Sequence, residues 1–142
     1  MATGERIFID SNYLVALFNP ADSLHIHAKK IATQLDITKR DFVVSNFIFL
    51  EIVTVLSLRQ GRRSACEAGE YLHSPSIEMI HIDYVLQRET WNIFHSVQVK
   101  DVSFVDCSII AVMYTEGIDT LLTFDSHFKK LQRDHRFKLY PC

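Results

Sequence analysis

Four acidic residues lie inside or at the end of apolar runs, and any fold of this chain has to deal with their charge. They are Asp10 in IFID (residues 7–10), Glu51 in FIFLEIV (47–53), Asp106 in FVDCSII (104–110) and Asp125 in LLTFD (121–125). A carboxylate taken out of water is costly unless it is paired, coordinated or neutralised. One such residue is ordinary. Four, spread over the whole chain, point to a fold that gathers them into one anionic pocket, and such a pocket wants a metal cation.

Around these acids, short apolar runs alternate with longer stretches of helical spacing. Strands are expected over 6–9, 41–45, 77–82, 120–124 and 137–140, and helices over 11–18, 23–37, 47–59, 62–73, 84–97, 103–115 and 126–131. Asn19-Pro20 stops the first helix, Asp22 or Ser23 caps the second, and Gly61 ends the third, which is apolar almost all round. Ser74-Pro75 closes the fourth and Gly117 ends the sixth. Strands that alternate with helices imply an α/β sandwich of three layers, its parallel sheet covered on both faces.

In such sheets ligands bind beyond the carboxyl ends of the strands, where the strand order reverses. Asp10 and Asp125 directly follow strands, Glu51 lies about two turns into a helix and Asp106 is in the first turn of another. All four can face one crevice. At 142 residues, with 48 % apolar residues and only four Gly and three Pro, the chain is expected to form a single domain over 1–142.

A net charge of −2 gives no global basic field for nucleic acid, so an anionic partner must be held by a local patch or through bound metal. Basic residues cluster at Arg59, Arg62 and Arg63 and again at Lys129, Lys130 and Arg133. Such runs are usually solvated helix faces, but beside an acidic pocket they can hold phosphates. Cys66, Cys107 and Cys142 form no CxxC pair and no zinc-ligand spacing, which points to reduced thiols. MATGERIFID has no apolar stretch led by basic residues, and no apolar run approaches the roughly 18 residues of a membrane span. A cytoplasmic protein without membrane contact is expected.

Taken singly, three of the acids have structural explanations. Asp10 and Asp125 suit N-caps of the helices after them, and Ser103-Phe-Val-Asp106 reads as a capping box. Glu51 does not. It sits mid-helix among Phe47, Ile48, Leu50, Ile52 and Val55, with no basic residue within one turn. Carboxylates a few ångströms apart repel, so some are protonated unless a divalent cation joins them, and an all-oxygen site suits Mg²⁺ or Mn²⁺. Ser11, Asn12, Ser108 and Thr123 are candidates to orient carboxylates or metal-bound water, or else to make local turn bonds. Asp101 is a candidate rim residue that also reads as a solvated loop acid, and His127 is the histidine expected nearest the site. Asp22, His25 and His27 read as surface groups at a helix start.

Four stretches together resemble a PIN domain, and within that family a VapC-type toxin ribonuclease. They are IFIDSNYLVALF, SNFIFLEIVTVL, DVSFVDCSIIAVM and GIDTLLTFDSHF, the last two being the most specific, and the resemblance runs from Ile7 to Phe128. Asn12 stands where that family often has Ser. The resemblance implies a five-stranded parallel sheet in the order 3-2-1-4-5 and a Mg²⁺- or Mn²⁺-dependent endoribonuclease acting on RNA. It also implies a homodimer and a VapB-type antitoxin whose tail plugs the site. On this reading Asp10, Asp106 and Asp125 hold one or two ions, Glu51 completes the site, and RNA phosphodiester bonds are hydrolysed. PIN domains also occur in RNA-processing nucleases that are not toxins, and that alternative stays open.

Two other functions fit less well. A receiver-type switch needs an acidic pair early, where Phe8-Ile9 precede Asp10, and Asp83 would have to be its phosphoacceptor. A dehalogenase-type phosphatase needs a second aspartate where Asn12 stands.

Overall fold

Arg6–Ile9 (β1) is a strand because its apolar run is too short for a stable helix and is buried from both faces of a sheet. The computed structural model describes residues 5–141, apart from the side chains of residues 37 and 38; Cys142 and the first four residues of MATGERIFID lie outside that description. Asp41–Ser45 (β2) and Ile77–Ile80 (β3) extend the sheet on one side of β1, and Thr120–Leu122 (β4) and Lys138–Tyr140 (β5) on the other. Every pairing is parallel and the order is β3-β2-β1-β4-β5. The sheet order and the α/β class agree with expectation.

The helices are Ser11–Phe18 (α1), His25–Thr38 (α2), Asn46–Arg59 (α3), Arg62–Leu72 (α4), Tyr84–Ser96 (α5), Phe104–Glu116 (α6) and His127–Leu131 (α7). Ile7, Phe8 and Ile9 meet Leu14, Ile48, Ile52, Leu56, Ile109 and Val112 in a core with essentially no solvent access. Serine hydroxyls start α3 and α6: Ser45 Oγ accepts from Ile48 N (3.3 Å) and Ser103 Oγ from Asp106 N (3.0 Å). Gly117 ends α6 at φ +67°, a conformation that costs glycine nothing.

Several local expectations are corrected. Neither Asp22 nor Ser23 caps α2, whose N-cap is Leu24 without a side-chain bond. The Asp22 carboxylate is used one step earlier, in a turn, accepting from Leu24 N (2.9 Å). His25, expected at the surface, is half-buried with Nδ1 2.8 Å from Ala16 O, which fastens α2 to α1. Strand β4 ends at Leu122 rather than at residue 124, because Asn12 Oδ1 takes the Phe124 N–H (3.1 Å) and draws the chain into a turn. Ser126 is the N-cap residue of α7 rather than its first turn.

The third helix departs most. A helix apolar on every side is normally buried, yet α3 buries Ile48, Ile52 and Leu56 and leaves Leu50 66 % and Leu58 82 % exposed.

Candidate active site

Strand order reverses on either side of β1, so the crevice opens between the carboxyl ends of β1 and β4. Their register pairs Ile9 with Leu122, and Asp10 N donates to Leu122 O (2.9 Å), which holds the next residues of both strands side by side. Thr123 Oγ1 donates to Asp10 Oδ2 (2.8 Å) across this opening. Asp10 Oδ1 accepts from Ser11 N (2.7 Å), as an N-cap of α1 should. Only 4 % of Asp10 is exposed. Burial, with Asp106 and Glu51 nearby, pushes its pKa up to about 7 despite the two hydrogen bonds that favour its charge.

Glu51 reaches the same opening from α3 and accepts the Ser11 hydroxyl. Asp106 occupies the third position of α6 in a complete capping box, its Oδ2 accepting from Ser103 N (3.0 Å). Burial raises its pKa, and the charges of Asp125 and Glu51 raise it further. Asp125 follows β4; its N–H donates to Thr123 Oγ1 (2.9 Å) and its Oδ1 accepts from His127 N (2.9 Å). The four acids thus form one electrostatic cluster, in which Asp10 senses Asp106 and Glu51, and Asp106 senses Asp125 and Glu51. None of them is ion-paired with Lys or Arg among the described residues.

Of the accessory candidates, Ser11 and Thr123 bond site carboxylates directly. Asn12 acts one step away, holding the turn through Phe124 N and lying 3.3 Å from Thr123 Oγ1. Ser108 is buried with its hydroxyl turned back onto Val105 O, and Asp101 is an exposed turn residue. His127 does approach the site: Asp106, Asp125 and His127 each offer one ligand atom, all within 4.8 Å of one another. Asp83, the acceptor a receiver would need, caps α5 through Leu86 N (3.0 Å).

The chemistry of this donor set fits a divalent cation. It is rich in carboxylate oxygens, has no Lys or Arg partner among the described residues and contains an aspartate whose charge is desolvated. Among the described residues the buried Nδ1 of His127 has no hydrogen-bond partner. Sequence reasoning missed the groove of about 510 Å³ between α3, α5 and α6, lined by Phe47, Leu50, Glu51, Val55, Phe104 and Val105 among others. Only the surplus of apolar residues on α3 hinted at it.

Thr123 ties both strand ends together. Thr123→Val keeps the shape but leaves Asp10 Oδ2 and Asp125 N without this partner. The cost is expected to be about 1–3 kcal/mol, read from urea denaturation.

A parallel α/β sheet with four acids gathered over its switch point defines a domain built around an anionic centre. The PIN domain pattern matches residues 7–134, and the chain belongs to that family. It is 30 % identical over 123 residues to the 23S rRNA-specific endonuclease VapC20 of Mycobacterium tuberculosis, covering 86 % of this chain and 91 % of that protein. The crystal structure of VapC20, described as a sarcin-ricin loop cleaving toxin, superposes with a TM-score of 0.79 at 29 % identity, over 88 % of this chain and 94 % of that one. VapBC2 from Rickettsia felis, bound to a DNA fragment from its promoter, shares the fold, with a TM-score of 0.65 at 13 % identity over 95 % and 98 % of the chains. No helix among the described residues is long and apolar enough to cross a membrane.

Proposed function

We propose that this chain is a metal-dependent endoribonuclease that hydrolyses RNA phosphodiester bonds as the toxin of a VapBC-type pair. The observation that carries the reading is the convergence of Asp10, Glu51, Asp106 and Asp125 at the switch point of a PIN domain related to an rRNA endonuclease. Asp10, Asp106 and Asp125 would hold Mg²⁺ or Mn²⁺ directly or through water, with Glu51 completing the site. When bound, such a cation lowers the pKa of water and stabilises charge on a phosphate.

The remaining work belongs to the protein. Thr123 fixes the orientation of Asp10, and through its acceptor bond from Asp125 N it sets where the β4–α7 turn presents Asp125. Ser11 does the same for Glu51. Asn12 holds the turn that carries Thr123 and Asp125. Arg59 lines a cleft of about 320 Å³ together with Ser11, Asn12 and Glu51, where its cation can meet a phosphate of the strand.

A VapB-type antitoxin and a homodimer are part of the same proposal, within one PIN domain over 1–142 in the cytoplasm. Solved structures that share the fold include a toxin–antitoxin complex from Klebsiella pneumoniae, 15 % identical with a TM-score of 0.61 over 84 % of this chain and 87 % of that one. The apolar groove beside Glu51 suits a protein segment, and Leu58, Tyr84, Val85 and Trp91 supply exposed apolar surface for a second copy.

The test is cleavage of a structured ribosomal RNA fragment. Cleavage with Mg²⁺ or Mn²⁺, lost in EDTA and restored by excess cation, is expected. Cleavage undiminished in EDTA, or none with any divalent cation, contradicts the reading.

A further inference from the structure

The imidazole of His127 has a contact that hydrogen bonding does not explain. Its Nδ1 lies 3.0 Å from Asp125 Oδ1, yet the alignment is not that of a hydrogen bond, and this buried nitrogen has no other partner among the described residues. Asp125 Oδ1 already accepts the backbone N–H of His127 at 2.9 Å. A buried ring nitrogen left unbonded is costly, so one that persists calls for a missing partner. Two lone-pair atoms facing each other at this distance are joined by a shared proton or a shared cation, and an alignment unfit for a hydrogen bond favours the cation. Neighbouring ligands on an octahedral ion bound at about 2.1 Å stand about 3 Å apart. Asp106 joins the group, since one ligand atom from each of Asp106, Asp125 and His127 lies within 4.8 Å of the other two.

We propose that His127 Nδ1 is a direct ligand of the cation held by Asp106 and Asp125, and that this nitrogen tilts the site from Mg²⁺ toward Mn²⁺. The proposal rests on the metal-site reading above and deepens it. Mg²⁺ prefers an all-oxygen shell and gives up water reluctantly, whereas first-row transition ions accept imidazole readily. The local chain supports a fixed geometry. Asp125 and His127 are two residues apart, and the turn is locked by Thr123 Oγ1 on Asp125 N and by Asp125 Oδ1 on His127 N. Phe128, the next residue, is fully buried, which anchors the imidazole's backbone against the core.

The proposal differs from a role in which His127 merely pairs with Asp125 as a charge. A positioning imidazole would help every cation alike. A ligand nitrogen helps Mn²⁺ more than Mg²⁺.

The direct test is pulsed electron paramagnetic resonance of Mn²⁺ bound to the full-length protein. Modulation from a directly coordinated ¹⁴N is expected in the wild type and lost in His127→Ala. In parallel, titration of both metals should show the Mn²⁺-over-Mg²⁺ affinity ratio falling about 10-fold in His127→Ala, with the melting temperature in EDTA confirming that the variant is folded. Absence of ¹⁴N modulation in the wild type, equal losses for both metals, or no Mn²⁺ binding at all overturns the proposal. RNA cleavage that stays cation-dependent while the ¹⁴N signal is absent would overturn this inference alone and leave the nuclease reading standing.

Discussion

Asp10→Asn is expected to lower RNA cleavage on the order of 10³-fold while making the cation-free protein more stable at pH 8. The loss should exceed the roughly 10–100-fold typical of residues that only orient a ligand, because Asp10 supplies charge at the centre of the cluster. The gain follows from burial. At 4 % exposure the Asp10 carboxyl has its pKa raised to about 7, so at pH 8 the fold holds a desolvated anion. Asparagine keeps the acceptor for Ser11 N and removes the charge, while the Thr123 hydroxyl can turn to accept from the new amide. Relative to an unfolded carboxyl near 3.8, the difference is worth on the order of 4 kcal/mol. Urea denaturation in EDTA at pH 8, beside a cleavage assay, separates the two effects. A variant that is both inactive and less stable would contradict the burial argument.

The second large effect is the dependence of stability on pH and cation. A carboxyl whose folded pKa lies above its unfolded value binds protons more tightly when folded. Without metal, stability is therefore fullest below about pH 4, falls as pH rises toward 7, and levels off above that, as far as Asp10 sets it. Asp106 contributes with the same sign, since burial raises its pKa too. A divalent cation reverses the trend because it binds the ionised form. Mn²⁺ is expected to stabilise little at pH 5 and most at pH 8, by about 2.7 kcal/mol when free Mn²⁺ is 100 times its dissociation constant. Melting curves across this range, with Mn²⁺ and with EDTA, measure it.

The four acids could be singled out from the sequence because charge inside an apolar run contradicts the local pattern, and such contradictions gather at functional sites. Asp106 shows that a structural and a functional role need not compete: its capping box forms as the Ser103 spacing suggested, and the carboxylate still joins the cluster. The order of the strands came from family resemblance, since alternation alone leaves the sheet order open. What stayed hidden depends on partners far apart in the chain. The early end of β4 is set by Asn12, 112 residues away from Phe124. The exposed side of α3 depends on what packs around it, and the composition of the helix does not report that. The orphaned nitrogen of His127 could be seen only once Asp106 and Asp125 were in place.

The central claim is that Asp10, Glu51, Asp106 and Asp125 form one divalent-cation site. Its most direct measurement is a Mn²⁺ titration followed by melting temperature at pH 8, on the wild type and on Asp10→Asn, Glu51→Gln, Asp106→Asn and Asp125→Asn. The expected result is saturable stabilisation of the wild type and, in each variant, an apparent affinity weakened by about 10-fold or more. Stabilisation by Mn²⁺ that is the same in all five proteins would contradict the claim.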